Sequence, residues 1–132
     1  MEKLKILIVD DEQDAIEYVK AIVNDIADFE FIEAGDGYEG IDAAKEQIPD
    51  VIILDVMMPK MDGFKVFYEL RKDATTMHIP VVMLTGVAEK AGIAFFKKDM
   101  NDFLGSEPFD YLEKPLDPEK FKQTIKKVFE LV

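Results

Sequence analysis

Short apolar runs alternate along this chain with longer segments in which apolar residues recur every three or four positions. The run LKILIV (4–9) is rich in branched residues and ends at two acids, a pattern typical of a strand that is buried on both faces. From about 13 to 27 the spacing becomes that of an amphipathic helix with one apolar stripe. The stripe consists of Ile16, Val19, Ile22, Val23 and Ile26.

The same alternation continues through the rest of the sequence. Further strands are predicted at FEFIEA (29–34), VIIL (51–54), IPVVMLT (79–85) and FDYLE (109–113). Further helices are predicted before Pro49, after Gly63, over 88–104 and after Asp117, which is a helix cap followed by Pro118. Five strands alternating with five helices predict a doubly wound α/β fold, in which helices cover both faces of a parallel sheet.

Length and charge narrow the class of protein. At 132 residues, the chain is expected to form a single domain over 1–132 with no output domain. The formal charge of −12 repels nucleic-acid phosphates and anionic lipid, so neither nucleic acid nor a membrane is an expected partner. The sequence contains no cysteine, no signal-peptide core and no apolar stretch of membrane-spanning length, so we expect a cytoplasmic protein.

Charged and polar residues stand at the carboxyl ends of four predicted strands. Asp10 and Asp11 directly follow the first strand, Asp55 follows the third and Lys114 follows the fifth. Thr85 is the last residue of the fourth. Because ligands bind at the carboxyl edge of such sheets, these side chains are expected to share one site. Three carboxylates repel one another unless a cation lies among them, and oxygen ligands without Cys or His favour Mg²⁺. A carboxylate there can also act as a nucleophile toward phosphorus.

Four segments make the sequence similar to one known family. They are ILIVDDE (6–12), VIILDVMMPKMDG (51–63), VVMLTG (81–86) and YLEKP (111–115). Together they resemble the receiver domain of two-component response regulators over essentially the whole chain, and most of all the stand-alone chemotaxis regulators. The resemblance implies a flavodoxin-like (βα)5 fold with strand order 2-1-3-4-5. It also implies a phosphoacceptor signalling domain that catalyses only its own phosphoryl transfer and dephosphorylation.

The resemblance assigns the acceptor and the metal ligands. Asp55 is expected to take a phosphoryl group from a histidine kinase, a phosphotransfer protein or a small phosphodonor. Asp11, Asp55 and the backbone carbonyl of Met57 are expected to bind Mg²⁺ directly, and Asp10 through water. Lys114 is expected to contact the phosphoryl group.

The resemblance also assigns a switch. The Thr85 hydroxyl is expected to move toward the phosphate, and the Tyr111 ring to turn inward behind it. The change in surface would be recognised by a downstream protein whose identity the sequence does not give. The Lys114–Pro115 peptide bond is expected to be cis.

Other interpretations of these residues stay open at this point. Taken singly, Asp10 and Asp11 could cap the first helix, Thr85 could cap the fourth, and Lys114 could be a solvated lysine. A Mg²⁺-dependent phosphohydrolase would also use an aspartyl phosphate, but it would ordinarily need a second acid near the nucleophile, where Met57 stands. A flavin carrier with the same topology fits the acidic strand ends poorly.

Two features depart from the usual family pattern. Between Thr85 and Lys114 lie 28 residues, more than expected, so the surface around the fourth helix, strand five and the fifth helix is predicted to be altered. In this family that surface commonly binds partners or a second copy, which makes a homodimer possible. Met57 and Val87 are apolar at the two positions that flank the path of the hydrolytic water, so slow self-dephosphorylation is predicted.

Overall fold

The computed structural model describes residues 3–86 and 107–131. In this part of the chain, five strands form one parallel sheet in the order β2-β1-β3-β4-β5. The strands are β1 (Lys5–Val9), β2 (Glu30–Ala34), β3 (Val51–Asp55), β4 (Val81–Thr85) and β5 (Asp110–Glu113). The helices are α1 (Gln13–Asn24), α2 (Gly37–Gln47), α3 (Gly63–Lys72) and the C-terminal helix (Pro118–Leu131). The predicted doubly wound, flavodoxin-like fold is confirmed.

Element boundaries differ from the sequence predictions by a few residues. The first helix ends at Asn24 instead of near 27, because the backbone N–H of Asp25 turns to the carbonyl of Ile22 and leaves the regular helical pattern. β4 begins at Val81, after Pro80, because proline has no N–H to donate within a central strand. The helix predicted over 88–104 lies outside the described residues. Among the described helices, none is both long and apolar enough to cross a membrane.

Two apolar layers hold the helices on the sheet. Alternate residues of the strands point to opposite faces, so Leu7 and Ile52 pack with α2 and α3 while Ile6 and Ile53 pack with α1 and the C-terminal helix. β3 lies between β1 and β4, and all five of its residues are buried. Because both faces of β3 are covered, its sequence is a continuous apolar run that ends in Asp55.

The loop after β3 folds back tightly against the strand end. The backbone N–H of Gly63 donates to the carbonyl of Val56 at 2.8 Å, and Asp62 caps α3 by accepting from the N–H of Lys65 at 2.9 Å. A Cβ on Gly63 would lie 2.5 Å from the carbonyl oxygen of Asp55 and 2.8 Å from the Cα of Val56. Only glycine allows this close approach of two backbone segments next to Asp55.

We predict that Gly63→Ala lowers the free energy of unfolding by about 1–3 kcal/mol, since the new methyl group meets backbone that cannot rotate away. Urea unfolding monitored by circular dichroism measures the change. Gly35→Ala is the matched control, because its Cβ would meet only the end of the flexible Glu39 side chain, at 3.2 Å. Equal stability losses in the two variants would contradict the prediction.

Candidate functional site

Three aspartates converge at the carboxyl edge of the sheet. β1 and β3 are neighbours in register, with Val9 opposite Leu54, so the residues that follow lie side by side. Carboxylate oxygens of Asp10, Asp11 and Asp55 all lie within 4.8 Å of one another. Asp10 and Asp55 are only 2% and 5% exposed, whereas Asp11 is exposed to solvent. The predicted convergence of strand ends is therefore present in the structure.

Lys114 provides the positive charge of this cluster. Its Nζ lies 3.0 Å from Oδ1 of Asp55 and 3.3 Å from Oδ2 of Asp10. Its backbone N–H donates to the carbonyl of Thr85 at 2.7 Å, which fixes the end of β5 against the end of β4. The Lys114–Pro115 peptide bond is cis, as the resemblance implies. Lysine is thus positioned as a mobile point charge between two buried carboxylates.

Burial and charge shift the pKa of both partners of this ion pair. Burial, together with the nearby charge of Asp10, raises the pKa of Asp55 from 3.8 to about 6, and Lys114 only partly opposes this. Burial lowers the pKa of Lys114, but hydrogen bonds and charge from Asp55 and Asp10 outweigh it, so the pKa is raised. The site therefore carries more negative charge than its single ammonium group neutralises.

The donor set fits a hard divalent cation. Asp10, Asp11 and Asp55 offer carboxylate oxygens only, from two adjacent strand ends. The one ammonium group in contact with them, that of Lys114, can neutralise only one of the three. Asp10 is held in place because its Oδ1 accepts the backbone N–H of Glu12 at 3.0 Å. Oxygen-only ligands with one partly open side suit Mg²⁺, which keeps several waters and pairs carboxylates with phosphate.

The remaining predicted residues lie in the loop after β3, at the end of β4 and within β5. Met57 lies two residues after Asp55 in the loop between β3 and α3, and its side chain is exposed. Thr85 ends β4 and is buried beside the ends of β3 and β5. Tyr111 lies in β5 opposite Met83 and packs partly buried against the α2 and α3 side of the core, where burial raises the pKa of its hydroxyl.

One ion pair near the site was not anticipated from the sequence. The Nζ of Lys60, in the loop after β3, lies 3.4 Å from Oδ2 of Asp36, the residue that caps α2. Lys60 has a φ of 69°, which is uncommon for a residue other than glycine. The pair links the loop that carries Met57 to the neighbouring helix. Its only sequence signal is a lysine beside the MDG turn, which does not identify a partner 24 residues away.

Comparison with known proteins agrees with this geometry. A family model for the response regulator receiver domain matches residues 6–126. The chain belongs to this family. Receiver domains are signalling domains of two-component systems and not classical enzymes; they interact with histidine kinases and downstream effectors, and they generally bind Mg²⁺ at an acidic pocket.

Relatives of this chain include regulators that are much longer than it is. The DNA-binding dual master transcriptional regulator RpaA of Synechocystis is 37% identical over 122 residues, which cover 92% of this chain and 47% of that protein. The response regulator PleD of Caulobacter vibrioides is 38% identical over 86% of this chain and 23% of its own length. The chain spans about half the length of the first curated relatives it matches.

Among solved structures, one chemotaxis regulator aligns with this chain over nearly the full length of both. The Vibrio cholerae chemotaxis protein CheY4 superposes with a TM-score of 0.77 at 31% identity, and the alignment covers 96% of this chain and 99% of that one. The similarity to chemotaxis regulators that the motifs indicate is therefore matched at the level of the fold.

We predict that Asp55→Asn stabilises the receiver domain by about 1–3 kcal/mol at pH 7 in buffer with EDTA. Asp55 binds its proton more tightly when folded, so its contribution to stability falls as pH rises from about 4 to about 6 and stays low above that. Asparagine removes this loss of stability. The difference in free energy of unfolding between the variant and wild type should therefore be smaller at pH 4.5 than at pH 7. Urea unfolding at both pH values measures it; a difference that does not depend on pH would contradict the prediction.

Proposed function

We propose that this receiver domain takes a phosphoryl group from a histidine kinase or a phosphotransfer protein onto Asp55, and that the product changes a partner-binding surface. One observation carries the proposal. A buried carboxylate at the end of the central strand lies 3.0 Å from the ammonium of Lys114 and within 4.8 Å of two further carboxylates. Lys114 can neutralise charge on the transferred group, and the two further carboxylates can hold a cation beside it.

The transfer step follows from these groups. An ionised oxygen of Asp55 attacks phosphorus, the P–N bond of a phosphohistidine breaks, and the departing imidazole keeps the electron pair and takes a proton. Above the raised pKa of about 6, Asp55 is ionised and can act as the nucleophile. Lys114 neutralises an oxygen of the phosphoryl group, and its existing contacts with Asp10 and Asp55 hold it within reach.

Mg²⁺ completes the proposed site. Asp11, Asp55 and the carbonyl of Met57 would hold the ion directly and Asp10 through water. The ion would supply positive charge to the phosphoryl oxygens during transfer. The excess of carboxylates over ammonium groups at the site supports this assignment.

The proposed switch uses Thr85 and Tyr111. Thr85 is buried at the end of β4, and its carbonyl already accepts the backbone N–H of Lys114. Movement of its hydroxyl toward the phosphoryl group would leave space behind it for the half-buried Tyr111 ring. The population of the two surface states then depends on a difference in interaction energy of a few kcal/mol.

The phosphodonor is proposed to dock beside Lys114. A groove of about 320 Å³ separates α1 from the loop after β5, and it is apolar along Val19 and Leu116 and acidic at Glu12 and Asp14. Lys114, whose Nζ lies 3.0 Å from Asp55, also lines this groove, so a protein that presents a phosphohistidine to Asp55 would lie next to it. A helix with apolar and basic residues fits its chemistry.

The downstream partner is proposed to be a protein. The charge of −12 disfavours direct contact with nucleic acid, although relatives such as RpaA are DNA-binding regulators by name. A homodimer through the fourth predicted helix, β5 and the C-terminal helix is a further proposal. Of that surface, the structure describes β5 and the C-terminal helix.

The phosphorylated state is proposed to be long-lived. Met57, two residues after the acceptor, has an exposed thioether, which accepts hydrogen bonds weakly and orients water poorly. Val87, the second apolar position on the predicted water path, lies outside the described residues. Self-dephosphorylation would then be the slower of the two reactions that the domain catalyses on itself.

We predict that wild-type protein gains one phosphoryl group when incubated with Mg²⁺ and acetyl phosphate, and that Asp55→Asn gains none. Intact-mass spectrometry measures both. Asp42→Asn is the matched control, because Asp42 is an exposed aspartate on α2 away from the strand ends and its loss should leave the gain unchanged. Labelling of Asp55→Asn equal to wild type would refute the assignment of the acceptor.

We predict that Asp11→Asn weakens Mg²⁺ binding about tenfold or more, since an anionic ligand is lost from the site. Isothermal titration calorimetry measures the dissociation constant. Asp14→Asn, three residues further on and equally exposed, should change it less than twofold, roughly the effect of a more distant screened charge. If both variants bind Mg²⁺ like wild type, the ion does not bind at this cluster.

A further inference from the structure

A cavity of about 370 Å³ opens at the amino edge of the sheet, on the side opposite to the three aspartates. Its walls come from the loop between α2 and β3, the loop between α3 and β4, the residue before β5 and the C-terminal helix. β3 has five residues and is roughly 17 Å long, so this cavity is separate from the site at the carboxyl edge. Its volume lies within the range of small-molecule sites.

Backbone hydrogen bonds hold the walls of the cavity in place. The N–H of Ile52 in β3 donates to the carbonyl of Pro80 at 3.0 Å. The N–H of Phe109 donates to the carbonyl of Val81 in β4 at 2.8 Å. These bonds tie two walls to the starts of neighbouring strands. A ligand would therefore enter a cavity that is already formed, and little free energy would be lost in ordering it.

Ile48, which lines the cavity, has an unfavourable backbone conformation. It follows α2 directly and has φ 45° and ψ 70°, in the left-handed region that glycine adopts more easily than a branched residue. Its side chain is also 41% exposed, so apolar surface faces water there. Both features cost free energy in the isolated domain. A ligand that covers this side chain would offset part of that cost.

The other lining residues define the chemistry of a ligand. Ile79 and Val128 are almost completely buried and form apolar walls together with the partly buried ring of Phe109. The Oδ2 of Asp50 accepts the backbone N–H of Lys5 at 2.7 Å, and a carboxylate can accept further hydrogen bonds. The described lining residues include no lysine or arginine. An apolar group that carries a positive charge is therefore complementary to this cavity, and the net charge of −12 attracts it.

We propose that this cavity binds a small organic cation, in which a protonated amine is joined to an aromatic or branched apolar group. The ammonium group donates to the carboxylate of Asp50, and the apolar group contacts Ile48 and Phe109. The imidazole of His78, which also lines the cavity, offers a further hydrogen bond. This inference does not depend on phosphorylation of Asp55, because the two sites lie at opposite edges of the sheet.

Tryptamine is the probe for the test, because it joins an ammonium group to an aromatic ring. Titration of ¹⁵N-labelled protein in buffer with Mg²⁺, followed by NMR, gives both the dissociation constant and the location of binding. We expect the amide signals of Ile48, Asp50 and His78 to shift, and those of Asp10 and Asp55 to stay in place. Indole lacks the ammonium group and should bind roughly fivefold more weakly or worse, and indole-3-acetate should not bind detectably.

Two kinds of variant separate the charge from the apolar wall. Asp50→Asn keeps an oxygen that can accept the N–H of Lys5 but loses the charge, so its affinities for tryptamine and indole should lie within about twofold of each other. Asp42→Asn, at an exposed position of α2, makes the same change in net charge and should bind tryptamine like wild type.

Ile48→Ala and Ile48→Gly both remove the apolar side chain, and each should bind tryptamine roughly threefold more weakly or worse. Glycine also removes the backbone strain, so Ile48→Gly should unfold at a higher urea concentration than Ile48→Ala. A variant that is the more stable of the two and still binds weakly shows that the loss of binding does not come from misfolding.

Four results would overturn the inference. Shifts confined to Asp10, Asp11 and Asp55 would mean that the cation binds only the acidic cluster, and no shift at all would mean that the cavity does not take it. Equal affinities of wild type for tryptamine and indole contradict the role of the carboxylate. Unchanged binding in both Ile48 variants contradicts the apolar wall. A protein that binds tryptamine in the cavity but gains no phosphoryl group from acetyl phosphate refutes the proposed function and leaves this inference standing.

Discussion

Three carboxylates and one ammonium group meet at the end of the central strand, and the chemistry of the site depends on this imbalance of charge. Asp10 and Asp55 are almost completely removed from water, so each additional negative charge is poorly screened. Lys114 contacts both and neutralises one charge. Burial and the nearby charge of Asp10 together raise the pKa of Asp55 to about 6. A cation, a proton or a movement of Lys114 would relieve the same repulsion, and in the proposed function the cluster uses this relief in metal binding and in phosphoryl transfer.

The fold is built to hold those charges at fixed positions. Asp10 and Asp55 are brought together by the parallel register of β1 and β3, in which Val9 lies opposite Leu54 and the buried side chains of both strands pack against the helices on each face. Gly63 lets the following loop press against the strand end, where any side chain would collide with backbone. The apolar layers therefore specify the site as directly as the aspartates do, because a shift of one residue in register would separate the carboxylates.

Much of the fold and of the candidate site was predictable from the sequence, because the patterns of buried strands and amphipathic helices can be recognised without a structure. Continuous apolar runs predicted buried parallel strands, and the rule that ligands bind at strand ends brought Asp10, Asp55 and Lys114 to one edge. The exposure and the partners of loop residues could not be predicted, because they depend on the path that each loop takes. Met57, Met58 and Met61 are chemically alike in the sequence, yet one is exposed and one is buried. The Lys60–Asp36 pair likewise joins two elements whose relative placement no local pattern encodes.

The contacts of Lys114 suggest how a change of charge at Asp55 would spread. Its side chain is shared between Asp10 and Asp55, while its backbone N–H is bonded to the carbonyl of Thr85. A phosphoryl group on Asp55 would draw the ammonium toward the new oxygens and loosen its contact with Asp10. Because the same residue ties the end of β5 to the end of β4, the first backbone to respond would be these two strand ends. In the proposed function, Lys114 therefore both senses the charge on Asp55 and links it to the partner surface. Because β4 and β5 are packed strands, we expect the movement to stay on their side of the sheet.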